Sequence, residues 1–108
     1  MGWFTQSIAK RVTRKCDVDL TGHCQADAHL IAEWARDNLT YSDGSPVQAS
    51  TILVDYDAGK DMIWMGHRVC SVVEENGTIK YVDVASKTHG GLFVLKEKWI
   101  RFKGQRLQ

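Results

Sequence analysis

Cys24, His67 and Asp83 are the residues of this chain whose types and order could do covalent chemistry. A cysteine is a strong nucleophile only as its thiolate. A histidine can take the thiol proton near neutral pH. A carboxylate can hold the imidazole in one tautomer and stabilise it once charged. Cys24 falls in the first turn of a helix predicted from residue spacing. There the unsatisfied N–H groups and the helix dipole favour a negative charge. The same N–H groups, that of Cys24 included, can donate to a developing oxyanion. The competing reading is packing, because a cysteine on the apolar stripe of a helix is ordinarily a small hydrophobe.

The elements that must position these groups follow from periodicity. Phe4, Ile8 and Val12, with Lys10, Arg11 and Arg14, predict a short amphipathic helix over 3–15. Residues 16–23 read as a loop or extended approach. Cys24, Ala28, Ile31, Ala35 and Leu39, with Trp34 alongside, predict a second helix with one buried stripe. Gln25, Glu33, Arg36 and Asp37 take its other face. Thr21 is the expected N-cap, Gly22 a tight entry, and the end is near Asn38. Turn chemistry fills 40–50, with Asp43-Gly44 and the single proline, Pro46. Strands are then expected over Thr51–Tyr56, Met62–Val73 and Thr78–Ala85, with Leu92–Phe102 as a last strand or short helix. The sum is an α+β fold: N-terminal helices packed on an antiparallel sheet of three to four strands, one domain over residues 1–108.

Strand parity connects the three residues. His67, Val69, Ser71 and Val73 share one face of the second strand, and Arg68, Cys70, Val72 and Glu74 the other. If the first set faces the helix, His67 is delivered toward Cys24 and Arg68 toward solvent. The next turn decides Asp83. A two-residue Asn76-Gly77 loop would set Asp83 opposite Cys70, on the wrong face. A three-residue Glu75-Asn76-Gly77 loop would set it opposite Val69, diagonal to His67. The sequence permits both turns.

The stretches Gly22-His23-Cys24-Gln25-Ala26-Asp27-Ala28, Gly66-His67-Arg68-Val69 and Asn76-Gly77-Thr78-Ile79-Lys80-Tyr81-Val82-Asp83 fall loosely within residues 20–85, most of the chain. In order and spacing they resemble the papain-like superfamily. Within it they resemble the transglutaminase-like branch, which includes the bacterial transglutaminase-like cysteine proteinases. The resemblance implies a papain-like core, with Cys24 as nucleophile, His67 as base and Asp83 as its orienting acid. It implies attack on the amide bond of a peptide or protein substrate through a thioester, without cofactor or metal. Release to water makes a peptidase or amidase; release to an amine makes a transglutaminase. Gln25 stands where many relatives carry an acidic residue, which leaves the substrate class open. Gln6, Trp3 and Gln25 are candidates for a second oxyanion donor.

Composition sets the frame. The 108 residues carry a formal net charge of +1, with no global footprint for nucleic acid. Basic clusters at Lys10–Lys15 and Lys96–Arg106 read as solvated faces. No stretch is long enough to span a bilayer, and the first 16 residues lack a signal-peptide core, so a cytoplasmic protein is expected. Three cysteines, Cys16, Cys24 and Cys70, do not make a disulfide framework. Two rival readings stand beside the enzyme. One is a non-catalytic binding module that uses Trp64, Trp99 and Phe102 with the basic ends. The other is a zinc site from Cys16, His23, Cys24 and His29, whose spacing matches no zinc pattern. His89 is an alternative partner for Cys24, beside Gly90-Gly91. Metal analysis of the purified protein is expected to find no stoichiometric zinc. One equivalent per chain would favour the metal-site reading.

Overall fold

The first helix, α1 (Ile8–Lys15), is short, and its N-terminus is held from two sides. The computed structural model describes residues 6–57, 63–85, 91–96 and 100–101, so the expected start of this helix at residue 3 lies outside the described part. Ser7 is the N-cap, its hydroxyl accepting from the N–H of Lys10 at 3.0 Å. The carboxylate of Glu74, 8% exposed, accepts from the N–H of Ile8 at 2.6 Å and of Ala9 at 2.9 Å. The residue that follows β2 in the chain thus satisfies the orphan donors of a helix and complements its dipole. Arg14 and Lys15 complement the other end.

The second helix, α2 (Cys24–Asn38), buries Asp27, Ala28, Ile31, Ala32 and Ala35. The alanines let the helix approach the sheet closely. Two expectations are corrected here. The N-cap is His23, not Thr21, and Thr21 instead bonds the side chain of Asp27. Cys24 is exposed rather than part of the buried stripe, because that stripe begins a turn further on, at Asp27 and Ala28.

Four antiparallel strands follow: β1 (Ala49–Asp57), β2 (Ile63–Val73), β3 (Ile79–Val84) and β4 (Leu92–Val94). A two-residue strand, β5 (Ile100–Arg101), completes the order β4-β3-β2-β1-β5. The expected α+β fold, helices on an antiparallel sheet, is what forms. The Leu92–Phe102 stretch supplies two short strands, which add to opposite edges of the sheet.

The core under the helices joins Ile8, Val12, Ile31, Ala35, Val47, Cys70, Val72 and Val82. α2 packs on β2 and β1, and α1 on β4 and β3. The helices therefore cover the Cys70 set of β2, and the premise that the His67 set faces them is overturned. The physical reason is apolar continuity. Cys70 and Val72 lie beside Val82 and Val94, whereas the other face carries His67, Ser71 and Asp83 among its members. Arg68 is on the helix face and half-buried, its Nη1 donating to Thr51 Oγ1 at 3.2 Å. On the opposite face Val54, Val69 and Leu95 form a second small core, with Ile52, Tyr81 and Phe93 against it.

The β2–β3 turn is the three-residue one. Cys70 pairs with Val82 and Val73 with Ile79, and the N–H of Glu74 donates to the Thr78 carbonyl at 2.8 Å. Gly77, with φ at +90°, takes the left-handed position that closes such a turn. No helix among the described residues is long and apolar enough to cross a membrane.

Replacing Glu74 tests the contact between helix and sheet. Glu74→Ala leaves two buried donors without their acceptor, so urea denaturation should show a loss of about 2–3 kcal/mol. Glu74→Gln, which keeps one acceptor oxygen, should lose less. A loss within about 0.5 kcal/mol for Glu74→Ala would mean that the cap contributes nothing.

Candidate active site

His67 follows a break in β2. Val54 pairs with His67 but Tyr56 pairs with Trp64, so Met65 and Gly66 stand opposite Asp55 alone. This is a β-bulge, a device that re-aims neighbouring side chains. Gly66 has φ at +61°, and a Cβ there would meet nothing within 4 Å, so backbone conformation alone makes the position suit glycine. Its N–H donates to Asp55 Oδ1 at 2.9 Å, which pins the bulge one residue before His67.

The three-residue turn places Asp83 on the face of His67, one strand over. His67 Nε2 and Asp83 Oδ2 are 2.7 Å apart, with side chains 15% and 12% exposed. An ionised carboxylate can only accept, so Nε2 carries the proton of this bond. Nδ1 is then the ring nitrogen left for another partner.

The Cys24 side chain lies beside the ring, close enough to act on its proton. The imidazole is held above its ordinary range, first by the hydrogen bond from Asp83 and against the opposing effect of burial. The charges of Asp83 and Cys24, and a hydrogen bond with the Cys24 side chain, push in the same direction. Cys24 is exposed, so thiol and ring meet at the rim of the fold and not in the buried helix–sheet seam. The structure thus brings Cys24, His67 and Asp83 together.

The first turn of α2 adds donors. The first intrahelical bond runs from the N–H of Asp27 to the His23 carbonyl at 2.9 Å. The N–H groups of Cys24, Gln25 and Ala26 precede it, and the His23 side chain makes no capping bond to them. The other two thiols sit in contrasting surroundings. Burial raises the Cys16 thiol, and it pushes Cys70, fully buried, up to about 12. Neither is poised to react, and all three cysteines are free.

Of the oxyanion candidates, Gln25 is exposed beside Cys24, and Trp3 lies outside the described residues. Gln6 is removed from the site. It lines a groove of ≈ 460 Å³ with Glu74, Glu75 and Asn76, at the hairpin tip. That tip is seven residues along β2 from His67, about 20 Å away. None of Cys24, His67 and Asp83 lines this groove. His89, Trp99 and Phe102 lie outside the described residues, as does the side chain of Trp64. Among the described residues no three His, Cys, Asp or Glu side chains converge on a possible metal position, and Cys16, His23, Cys24 and His29 form no such group.

Sequence reasoning missed three carboxylates that hold this arrangement: Asp27, Asp55 and Glu74. Two of them left a signal. Asp27 falls on the stripe of Ala28 and Ile31, and Glu74 falls in line with Cys70 and Val72. A charge at a core position implies a partner. Compared with protein-family models, curated proteins and solved structures, the chain matches none.

The raised imidazole gives a pH prediction. A proton held more tightly in the folded than in the unfolded chain stabilises the fold fully below about pH 6.5. That contribution is lost as pH rises through the raised folded value. NMR titration should place the His67 midpoint above about 6.5. Asp83→Asn should lower it, and Cys24→Ala should lower it by less. The stability lost in Asp83→Asn should be largest below about pH 6.5 and shrink above it. A midpoint that ignores Asp83→Asn would contradict the assigned hydrogen bond.

Proposed function

We propose that this chain is a cysteine-nucleophile hydrolase or acyltransferase acting on an amide bond of a peptide or protein. One observation carries the reading: His67 is shared between Asp83, at 2.7 Å, and the Cys24 thiol at a helix N-terminus. The arrangement is that of nucleophile, base and orienting acid. The expected resemblance to the papain-like and transglutaminase-like enzymes stays part of this proposal, because it predicts the same three residues in the same roles.

The proposed chemistry is nucleophilic catalysis. Nδ1 of His67 takes the Cys24 proton, and Asp83 stabilises the resulting imidazolium. The thiolate attacks the carbonyl carbon, and the first-turn N–H groups of α2 stabilise the oxyanion. The C–N bond breaks as His67 returns its proton to the leaving amine, which leaves a thioester on Cys24. Water then attacks the thioester with His67 again as base, releasing the acid and restoring the thiol. A second amine in place of water would complete an acyl transfer. Three free thiols fit a reducing compartment such as the cytoplasm.

Alkylation tests the reading directly. Iodoacetamide near neutral pH should label Cys24 much faster than Cys16 or Cys70, and His67→Ala should slow Cys24 by about tenfold or more. Equal labelling of the three thiols, or a Cys24 rate indifferent to His67→Ala, would sink the enzyme reading and leave a non-catalytic module in its place.

A further inference from the structure

The chain that delivers Cys24 to His67 is an exposed loop, yet every N–H from Thr21 to His23 has a partner. The N–H of Thr21 donates to Asp27 Oδ1 at 2.6 Å and that of Gly22 to Asp27 Oδ2 at 3.1 Å. The Thr21 hydroxyl donates to Asp27 Oδ1 at 2.8 Å and accepts from the N–H of His23 at 3.0 Å. Asp27 is 3% exposed and also closes the first helical bond, to the His23 carbonyl. One buried residue therefore grips the incoming loop with both carboxylate oxygens and with its own N–H.

The direction of this grip matters for chemistry. An ordinary N-cap side chain at position 23 would point into the helix and accept from the second or third N–H of the first turn. That would occupy the donors an oxyanion needs. Here the anchor reaches the other way, from inside the helix out to the loop. The entry is fixed, and the N–H groups of Cys24, Gln25 and Ala26 carry no side-chain cap from His23. The Asp27 charge, one turn from the thiol, is met by three donors of its own.

We propose that Asp27 is a positioning residue: it fixes the Thr21–His23 loop so that the Cys24 thiol meets His67 while the first-turn N–H groups stay open. The proposal rests on the acyl-transfer reading above. It separates two jobs at the helix N-terminus that a single capping residue would merge. Removing Asp27 should therefore cost reactivity before it costs the fold.

Iodoacetamide alkylation at pH 7 reads this, with Cys70 as an internal reporter, because a fully buried thiol labels only if the fold opens. Asp27→Ala should slow Cys24 by about tenfold or more while Cys70 stays protected. Asp27→Asn, which keeps one acceptor oxygen, should recover part of the rate. Combining Asp27→Ala with His67→Ala should slow Cys24 little beyond either alone, because both remove the same encounter. Wild-type Cys24 kinetics in Asp27→Ala with Cys70 protected, or fully additive losses, would overturn the proposal. Should Asp27→Ala expose Cys70, Thr21→Val carries the test. It deletes the hydroxyl bonds and leaves Asp27 in place. Slower Cys24 labelling supports the clamp, and an unchanged rate overturns it. A wild-type Cys24 indifferent to His67→Ala removes the acyl-transfer reading, and this proposal with it. A His67-dependent Cys24 that ignores Asp27 and Thr21 removes the proposal alone.

Discussion

The turn Glu75-Asn76-Gly77 is the constraint on which both ends of this structure depend. Strand side chains alternate, so a turn one residue shorter would slide the pairing and send Asp83 to the opposite face. Gly77 closes the longer turn in a left-handed conformation, and Asn76 supports it, its Oδ1 accepting from the N–H of Thr78 at 2.9 Å. The register that results sets Cys70 against Val82 in the core and Asp83 diagonal to His67. At its base the same turn presents Glu74 to the N-terminus of α1. Packing of the first helix and orientation of the histidine thus share one local decision.

Apolar packing builds the body of the fold, but polar bonds place the groups of the candidate site. The helices lie on Cys70, Val72 and Val82, and nothing in that core includes Cys24 or His67. Asp27 holds the loop before the cysteine, and Asp55 holds the bulge before the histidine. Asp83 holds the ring itself. The burial of such carboxylates is costly unless they are bonded, and each of the three is. Side chains held this way can stand at the rim, exposed to solvent, without leaving their geometry to loosely packed loops.

The electrostatics run in one direction. The hydrogen bond from Asp83 holds the His67 imidazole above its ordinary range, and the neighbouring Cys24 side chain adds in the same direction. Cys70 shows the contrast within the same chain. Full burial pushes its thiol up to about 12, against the opposing charge of Arg36. The direction in which each group is shifted is therefore set by environment, not residue type.

Much of this was legible in the residues themselves. Spacing marked both helices, three long strands and the α+β arrangement, because periodicity reports which positions must be buried. Parity alone put Cys70 away from His67 and showed that Asp83 could join His67 only through a three-residue turn. Three matters were left to tertiary structure. Both turns suit Asn-Gly, so only the assembled sheet, with Glu74 bonded to α1, selects between them. Parity sorts two faces without saying which one the helices cover; apolar continuity of Cys70, Val72, Val82 and Val94 decided that, against expectation. The loop before Cys24 and the strand before His67 are held by polar bonds, of Asp27 to Thr21 and Gly22 and of Asp55 to Gly66, whose partners no spacing names. Periodicity encodes burial, and a polar constellation at the rim is placed by individual bonds that periodicity does not encode.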